Sequence, residues 1–185
     1  PGLIIEGLRM QEARRYLNSA APSEQYWMDL LRSEGASNRI NTEALRCHID
    51  QVAFEAGKKR RLFIPAFKAM IAFMRRLKGV RDWVRRRQMR FVPDLYGDLF
   101  VRYKPDMVVA STTGWRLDRY LLRQAAQRGV PITSVIVGWD NPSSYCLSAA
   151  PIDDVICWSE IQKEELVQGS DWEPQRVHVG GIPSY

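Results

Sequence analysis

The chain has 185 residues, 45% of them hydrophobic and 26% charged, with a formal net charge of +6, a globular composition with core enough for one domain or for half of a two-domain enzyme. No stretch approaches the roughly 20 apolar residues of a membrane-spanning helix, and the three scattered cysteines, Cys47, Cys146 and Cys157, form no C-x-x-C pair and have only His48 and His178 to join them, which argues against a structural zinc site or a disulfide framework. The charge is segregated: Lys58 to Arg90 holds 13 Lys or Arg against one acid, Asp82, and the remainder is net acidic, so the positive surface is local and points to a phosphate-rich partner.

In chain order, Leu3 to Ile5 is a short apolar piece, followed by an amphipathic helix over Glu6 to Leu17. Ser23 is placed to cap a second helix through Arg32 that would bury Tyr26, Trp27, Leu30 and Leu31. Asn41-Thr42-Glu43 opens a third, with Leu45, Ile49, Val52, Ala53 and Ala56 at helical spacing and Gly57 as its stop. A long helical pattern then covers Ala66 to Arg90, where Phe67, Met70, Ile71, Met74, Leu77, Val80, Trp83 and Val84 recur at three- and four-residue steps and Gly79 offers a kink. Its other faces are almost purely Arg and Lys. That profile suits a helix resting on an anionic membrane surface through Arg75, Arg76, Lys78, Arg85, Arg86 and Arg87, and equally a core helix with a solvated basic face. No nucleic-acid module is present in the pattern, so no nucleic acid is expected.

Pro93-Asp94 resets the chain, and a short helix over Leu95 to Tyr103 leads to the apolar run Met107 to Ala110. Ser111-Thr112-Thr113-Gly114 follows, small hydroxyl residues and glycine at a strand end entering a helix, a pattern for hydroxyl or anion binding or simply for capping. The helix Leu117 to Arg128 stops at Gly129, and Pro131 starts the strand Ile132 to Val137. The turn Gly138-Trp139-Asp140-Asn141-Pro142-Ser143 comes next, then a strand over Asp154 to Trp158, a helix capped by Ser159 with Gln162 in a Ser-x-x-Gln box and ended by Gly169, and the strand Val177 to Val179. Apolar runs with little polar alternation, separated by helices, predict an α/β domain: a Rossmann-like parallel sheet with helices on both faces over residues 104–181, preceded by a mainly helical region over 1–103. Ligands of such sheets sit beyond the carboxyl ends of the strands, which is where the Trp-Asp-Asn turn falls. Asp140, with Trp139 beside it to stack on a sugar or lipid head group and Asn141 to read hydroxyls, has the placement of a general base; a plain Asx-Pro turn is the structural alternative. Neither histidine has partners at metal spacing, and no metal site is expected.

The segments Lys104 to Val109, Gly138 to Ser143, Asp153 to Leu166 and Arg176 to Pro183 resemble the N-terminal half of bacterial glycosyltransferase-B-fold proteins, in the branch related to CDP-glycerol glycerophosphotransferases and surface-carbohydrate glycosyltransferases. This resemblance implies an acceptor-holding domain of a two-domain enzyme; placed in it, the residues read above put Asp140 in the catalytic role and Trp139, Asn141, Ser143, Ser111, Thr112, Thr113 and Gly114 at the substrate. It further implies that residues 182–185 begin an interdomain linker, that the chain is cut from something longer, and that this half needs no cofactor of its own, the nucleotide-sugar or CDP-polyol donor belonging to a C-terminal half. The acceptor would be a carbohydrate or a lipid-linked molecule, met on the inner face of the cell membrane by a cytoplasmic enzyme. Gly138 departs from the family pattern, where serine is usual. Two rival readings are a UDP-N-acetylglucosamine 2-epimerase-like enzyme and a non-catalytic basic module binding anionic polymers through residues 58 to 90.

Overall fold

The computed structural model describes residues 9–33, 62–114, 117–138 and 147–182. Leu3 to Ile5 and the expected helix from Asn41 to Gly57 lie outside these, as do Cys47, His48 and Cys146.

The described residues of the N-terminal part are mainly helical, and two of their helices present different faces from those expected. Helix α1 spans Met10–Ser19 and buries Ala13, with the Tyr16 ring edge-on to Tyr120 at 5.5 Å. Helix α2 spans Pro22–Ser33. Ala21, at φ +50°, accepts the first helical hydrogen bond from Gln25, so it holds the cap position expected of Ser23, and Pro22 takes the first helical position, where its missing N–H costs nothing. The face of α2 that turns inward carries Gln25, Met28 and Arg32, while Tyr26 and Trp27 are exposed and pack edge-on against each other. Its buried polar groups have partners inside: Gln25 Oε1 accepts from the Tyr120 hydroxyl at 2.6 Å and Arg32 Nη1 donates to Leu147 O at 3.2 Å, which removes the cost that otherwise keeps such side chains outside.

The long basic pattern is two helices, α3 over Ile64–Arg76 and α4 over Lys78–Gln88. The break falls at Leu77, whose backbone is extended (φ −89°, ψ 106°), and not at Gly79, which is helical. The break gives α4 its own inward stripe, Arg81, Val84 and Gln88, and leaves Met70 and Trp83, expected on the apolar face, exposed. Helix α5, Gly97–Tyr103, ends at Lys104 in the left-handed region.

The sheet contains β1 (Val108–Ala110), β2 (Ile132–Val135), β3 (Asp154–Cys157) and β4 (Val177–Val179), all parallel and ordered β1-β2-β3-β4. Helix α6 (Arg119–Gln127) connects β1 to β2, and α7 (Glu160–Ser170) connects β3 to β4. The register aligns Ala110, Ser134, Val155 and Val177 on one face, together with Val108, Ile132 and Cys157. That face is the core: Tyr120, Leu122 and Ala125 of α6 cluster with Ile132, and Leu166 of α7 with Val155, Cys157 and Val177.

Helices on both faces are therefore not what the described residues form. The opposite face, Val109, Thr133, Val135, Asp154, Ile156 and His178, is half-buried or exposed, and His178 Nε2 lies 2.8 Å from Asp154 Oδ1 on it. Topology supplies the reason. Strands added always to the same side through right-handed crossovers put every connecting helix on one face, and covering the second face needs a reversal of strand order that these four strands do not make.

Candidate functional site

Three chain segments leave the carboxyl ends of adjacent strands. From β1 comes the loop Ser111–Gly114, which is closed on itself: the Thr112 hydroxyl donates to Asp118 Oδ2 at 2.6 Å and accepts from the Gly114 N–H at 3.0 Å. Thr113 O accepts from Ala149 N at 2.8 Å. Gly114 has φ +88°, and a Cβ there would lie 2.7 Å from Ala149 Cβ. In this loop Thr112 and Gly114 thus hold the backbone in shape and bring the 147–150 segment close, Thr113 binds that segment through its carbonyl, and Ser111 is the exposed side chain. Helix α6 starts at Arg119 without a side-chain cap from Asp118, whose carboxylate is engaged by Thr112.

From β2 come Ile136, Val137 and Gly138; Trp139, Asp140, Asn141 and Ser143 lie outside the described residues. Both flanks of that turn are anchored. Upstream, Ile136 O accepts from the Trp158 indole at 2.6 Å and Gly138 O from Gln162 Nε2 at 3.4 Å. Downstream, Leu147 N donates to Arg32 O at 3.4 Å and Ser148 O accepts from Gln88 Nε2 at 2.9 Å.

From β3 comes the start of α7. Ser159 caps it, its hydroxyl accepting from Gln162 N at 3.3 Å, as the Ser-x-x-Gln pattern predicts. The Gln162 side chain goes further than a capping box requires. Its Oε1 accepts from Trp158 N at 2.8 Å while its Nε2 reaches Gly138, so one buried amide joins the exits of β2 and β3. Helix α7 runs one residue past Gly169 and ends where Asp171 enters the left-handed region at φ +56°.

The basic residues expected at a membrane divide into two groups. Arg85 turns inward: its guanidinium donates to Ser170 O and lies 3.5 Å from both Asp82 and Asp171, and burial pulls its pKa down. Arg87 pairs with Glu24 of α2 at 2.5 Å, and Lys78 with Asp82 at 3.0 Å while remaining largely exposed. Arg76 and Arg86 are exposed; the Arg75 side chain lies outside the described residues. Beside Arg85 is a cleft of about 220 Å3 lined by Ser148, Pro151, Asp171, Trp172 and Arg176, among others.

A group that sequence reasoning missed lies under the β1 exit. Arg119 and Arg123 of α6 and Arg32 of α2 are 6%, 2% and 2% exposed. Both α6 guanidinium groups sit over the Tyr120 ring, at 5.1 and 5.8 Å. Arg123 donates to Ala149 O at 2.7 Å, to Gln88 Oε1 at 2.9 Å and to Phe91 O at 3.4 Å, all neutral acceptors. Asp29 lies 2.8 Å from Arg119 and 3.9 Å from Arg32. Burial, reinforced by the charges of Arg119 and Arg32 and only partly offset by Asp29, pulls Arg123 down to about 9. The available signal was the four-residue spacing of Arg119 and Arg123 around Tyr120, in a helix whose apolar stripe is too narrow to cover its inward face alone.

Among the described residues no group of His, Cys, Asp and Glu could hold a metal ion, and no helix is long and apolar enough to cross a membrane. The chain matches no protein-family model, no curated protein and no solved structure.

Proposed function

We propose that this chain is the acceptor-side domain of a glycosyltransferase-B-type enzyme that passes a sugar or polyol phosphate from a nucleotide-activated donor to a cell-envelope acceptor. The observation that supports the reading is the convergence at one end of the parallel sheet. The Ser111–Gly114 loop, the segment beginning at Gly138 and the first turn of α7 leave adjacent strands, and Trp158 and Gln162 bind the last two together. This is the carboxyl-terminal side of the strands, the side from which open α/β sheets take ligands, and Asp140 lies in the chain between two flanks, at Gly138 and Leu147, that are each hydrogen-bonded. In this reading Asp140 removes the proton of the attacking hydroxyl, Trp139 stacks on the acceptor, and Asn141, Ser143 and Ser111 bind its hydroxyl groups. The donor would enter from a second domain, and the exposed cations Arg76, Lys78 and Arg86 would face the anionic surface where lipid-linked acceptors reside.

The test is transfer by the complete enzyme from nucleotide donors to lipid-linked and soluble carbohydrate acceptors. Asp140→Asn is expected to lower turnover by about 100-fold or more with donor binding unchanged, the range removed with a general base. Turnover retained in that variant would end the role of Asp140, and a complete enzyme without transfer to any such acceptor would end the reading. The rival reading as a basic polymer-binding module is less well supported, because Arg81, Arg85 and Arg87 spend their charge on Asp171, Asp82 and Glu24.

A further inference from the structure

We infer that helix α3, with the turn that leads into it, inserts the apolar side chains of Leu62, Phe63, Met70, Phe73 and Leu77 into the surface of an anionic phospholipid bilayer. Leu62, Ala66, Met70, Phe73 and Leu77 follow one another at four- and three-residue steps, the spacing of a single helix face, and every one of them is exposed. Leu62 is 81% exposed, Phe63 72% and Phe73 61%. Most proteins leave such side chains in water singly, and a contiguous row of them marks a surface that meets a partner. Ile71 is buried and fastens α3 to the rest of the protein, so the stripe is the part of the helix left open.

The charge around the stripe decides what covers it. Residues 56–81 contain no Asp or Glu, and cations stand at both ends of α3 in the chain: Lys58-Lys59-Arg60-Arg61 ahead of it, Arg75 and Arg76 at its end and Lys78 just after. Arg76, Lys78 and Arg86 are exposed, and Trp83, three residues before Arg86 and so on the same side of α4, is exposed with it. Apolar side chains bordered by cations match a surface that is hydrocarbon within and anionic at its headgroups. Two copies of this chain joined through the stripe would instead bring these cations against their own images. Helix α3 has 13 residues and is about 20 Å long, short of the roughly 30 Å hydrocarbon layer, so it lies in the plane of the interface and does not cross it.

This inference rests on one part of the functional reading above, that exposed cations meet an anionic surface, and on none of its chemistry. It adds a contribution of a different kind. Attraction between the cations and lipid headgroups is screened by salt, whereas burial of Phe63 and Phe73 in hydrocarbon is not.

Sedimentation of the 185-residue chain with vesicles of phosphatidylcholine, alone or mixed with phosphatidylglycerol, tests it. Binding to both is expected, about 100-fold tighter to the anionic vesicles at low salt, with the difference erased but binding retained at about 1 M NaCl. Phe63→Gln combined with Phe73→Gln should weaken binding by about 100-fold and abolish the salt-resistant part, with the melting temperature unchanged because both side chains stand in water. A double variant that binds as wild type does, or wild-type binding that about 1 M NaCl removes entirely, overturns the insertion and leaves the role of the cations standing. Equal binding to the two kinds of vesicle at low salt overturns the choice of an anionic surface, and a wild-type chain that binds neither overturns the insertion and the membrane part of the functional reading together. Self-association that the double variant dissolves would also overturn the inference, by giving the stripe to a second copy.

Discussion

Asp171 accepts two hydrogen bonds from Arg81, Nε to Oδ2 at 2.7 Å and Nη2 to Oδ1 at 2.8 Å, and so fastens the end of α7 to the middle of α4. The two side chains are 8% and 14% exposed. Removing either partner takes the two-point pair from the other where it is largely buried, so Arg81→Ala or Asp171→Ala should each destabilise the protein by about 3 kcal/mol in chemical denaturation.

The same pair predicts an acid limb. Burial by itself works to raise the Asp171 pKa, but the hydrogen bond and charge of Arg81, with the charge of Arg85, outweigh it and hold the carboxyl below the ordinary aspartate range. A carboxylate depressed in the folded state contributes stability that is present above its unfolded pKa, about 3.9, and is lost as pH falls through the lower folded value. Melting temperature followed downward from pH 5 should therefore drop less steeply in Asp171→Asn than in wild type.

Gly114→Ala meets two obstacles, a positive φ and a Cβ 2.7 Å from that of Ala149. The expected loss is about 1–3 kcal/mol. In the double variant with Ala149→Gly the steric part should be recovered and the conformational part should remain. A double variant no more stable than Gly114→Ala would show that the close approach to Ala149 contributes nothing to the loss.

Ser159 and Gln162 separate capping from cross-strand bracing. Ser159→Ala removes a helix cap and should cost about 1 kcal/mol. Gln162→Leu also strands the Trp158 N–H and Gly138 carbonyl, with an expected cost of about 2–4 kcal/mol for two unsatisfied groups. Hydrogen exchange should speed up at Trp158 in the second variant and stay near wild type in the first.

On the basic helices, the effects of charge removal on stability and on surface binding should come apart. Arg76, Lys78 and Arg86 replaced by Gln should weaken binding to anionic vesicles by about 100-fold, at about 1 kcal/mol per charge, with little change in melting temperature. Arg81→Gln and Arg85→Gln should instead lower the melting temperature, since their partners lie inside the protein. Equal vesicle binding by wild type and the triple variant would remove the membrane role.

The residues by themselves determined where the sheet strands and the helices between them fall, though not each end: apolar runs such as the one that gives Ile132–Val135, preceded by Gly129 and Pro131, have few other ways to bury themselves, and Ser159 with Gln162 marks a helix start by local chemistry. The parallel sheet at residues 104–181 was legible for that reason. Only the tertiary structure decided which side each element presents. Tyr26 and Trp27 stay outside while Gln25 and Arg32 find partners in Tyr120 and Leu147, and after the break at Leu77 Arg81 and Arg85 bond to Asp171 and Ser170, about 90 residues away. The one-sided sheet follows from strand order, and the buried arginines from contacts between α2, α6 and the 147–150 segment. Local periodicity records how often a residue type recurs along the chain; it holds no record of a hydrogen-bond partner that arrives from another element.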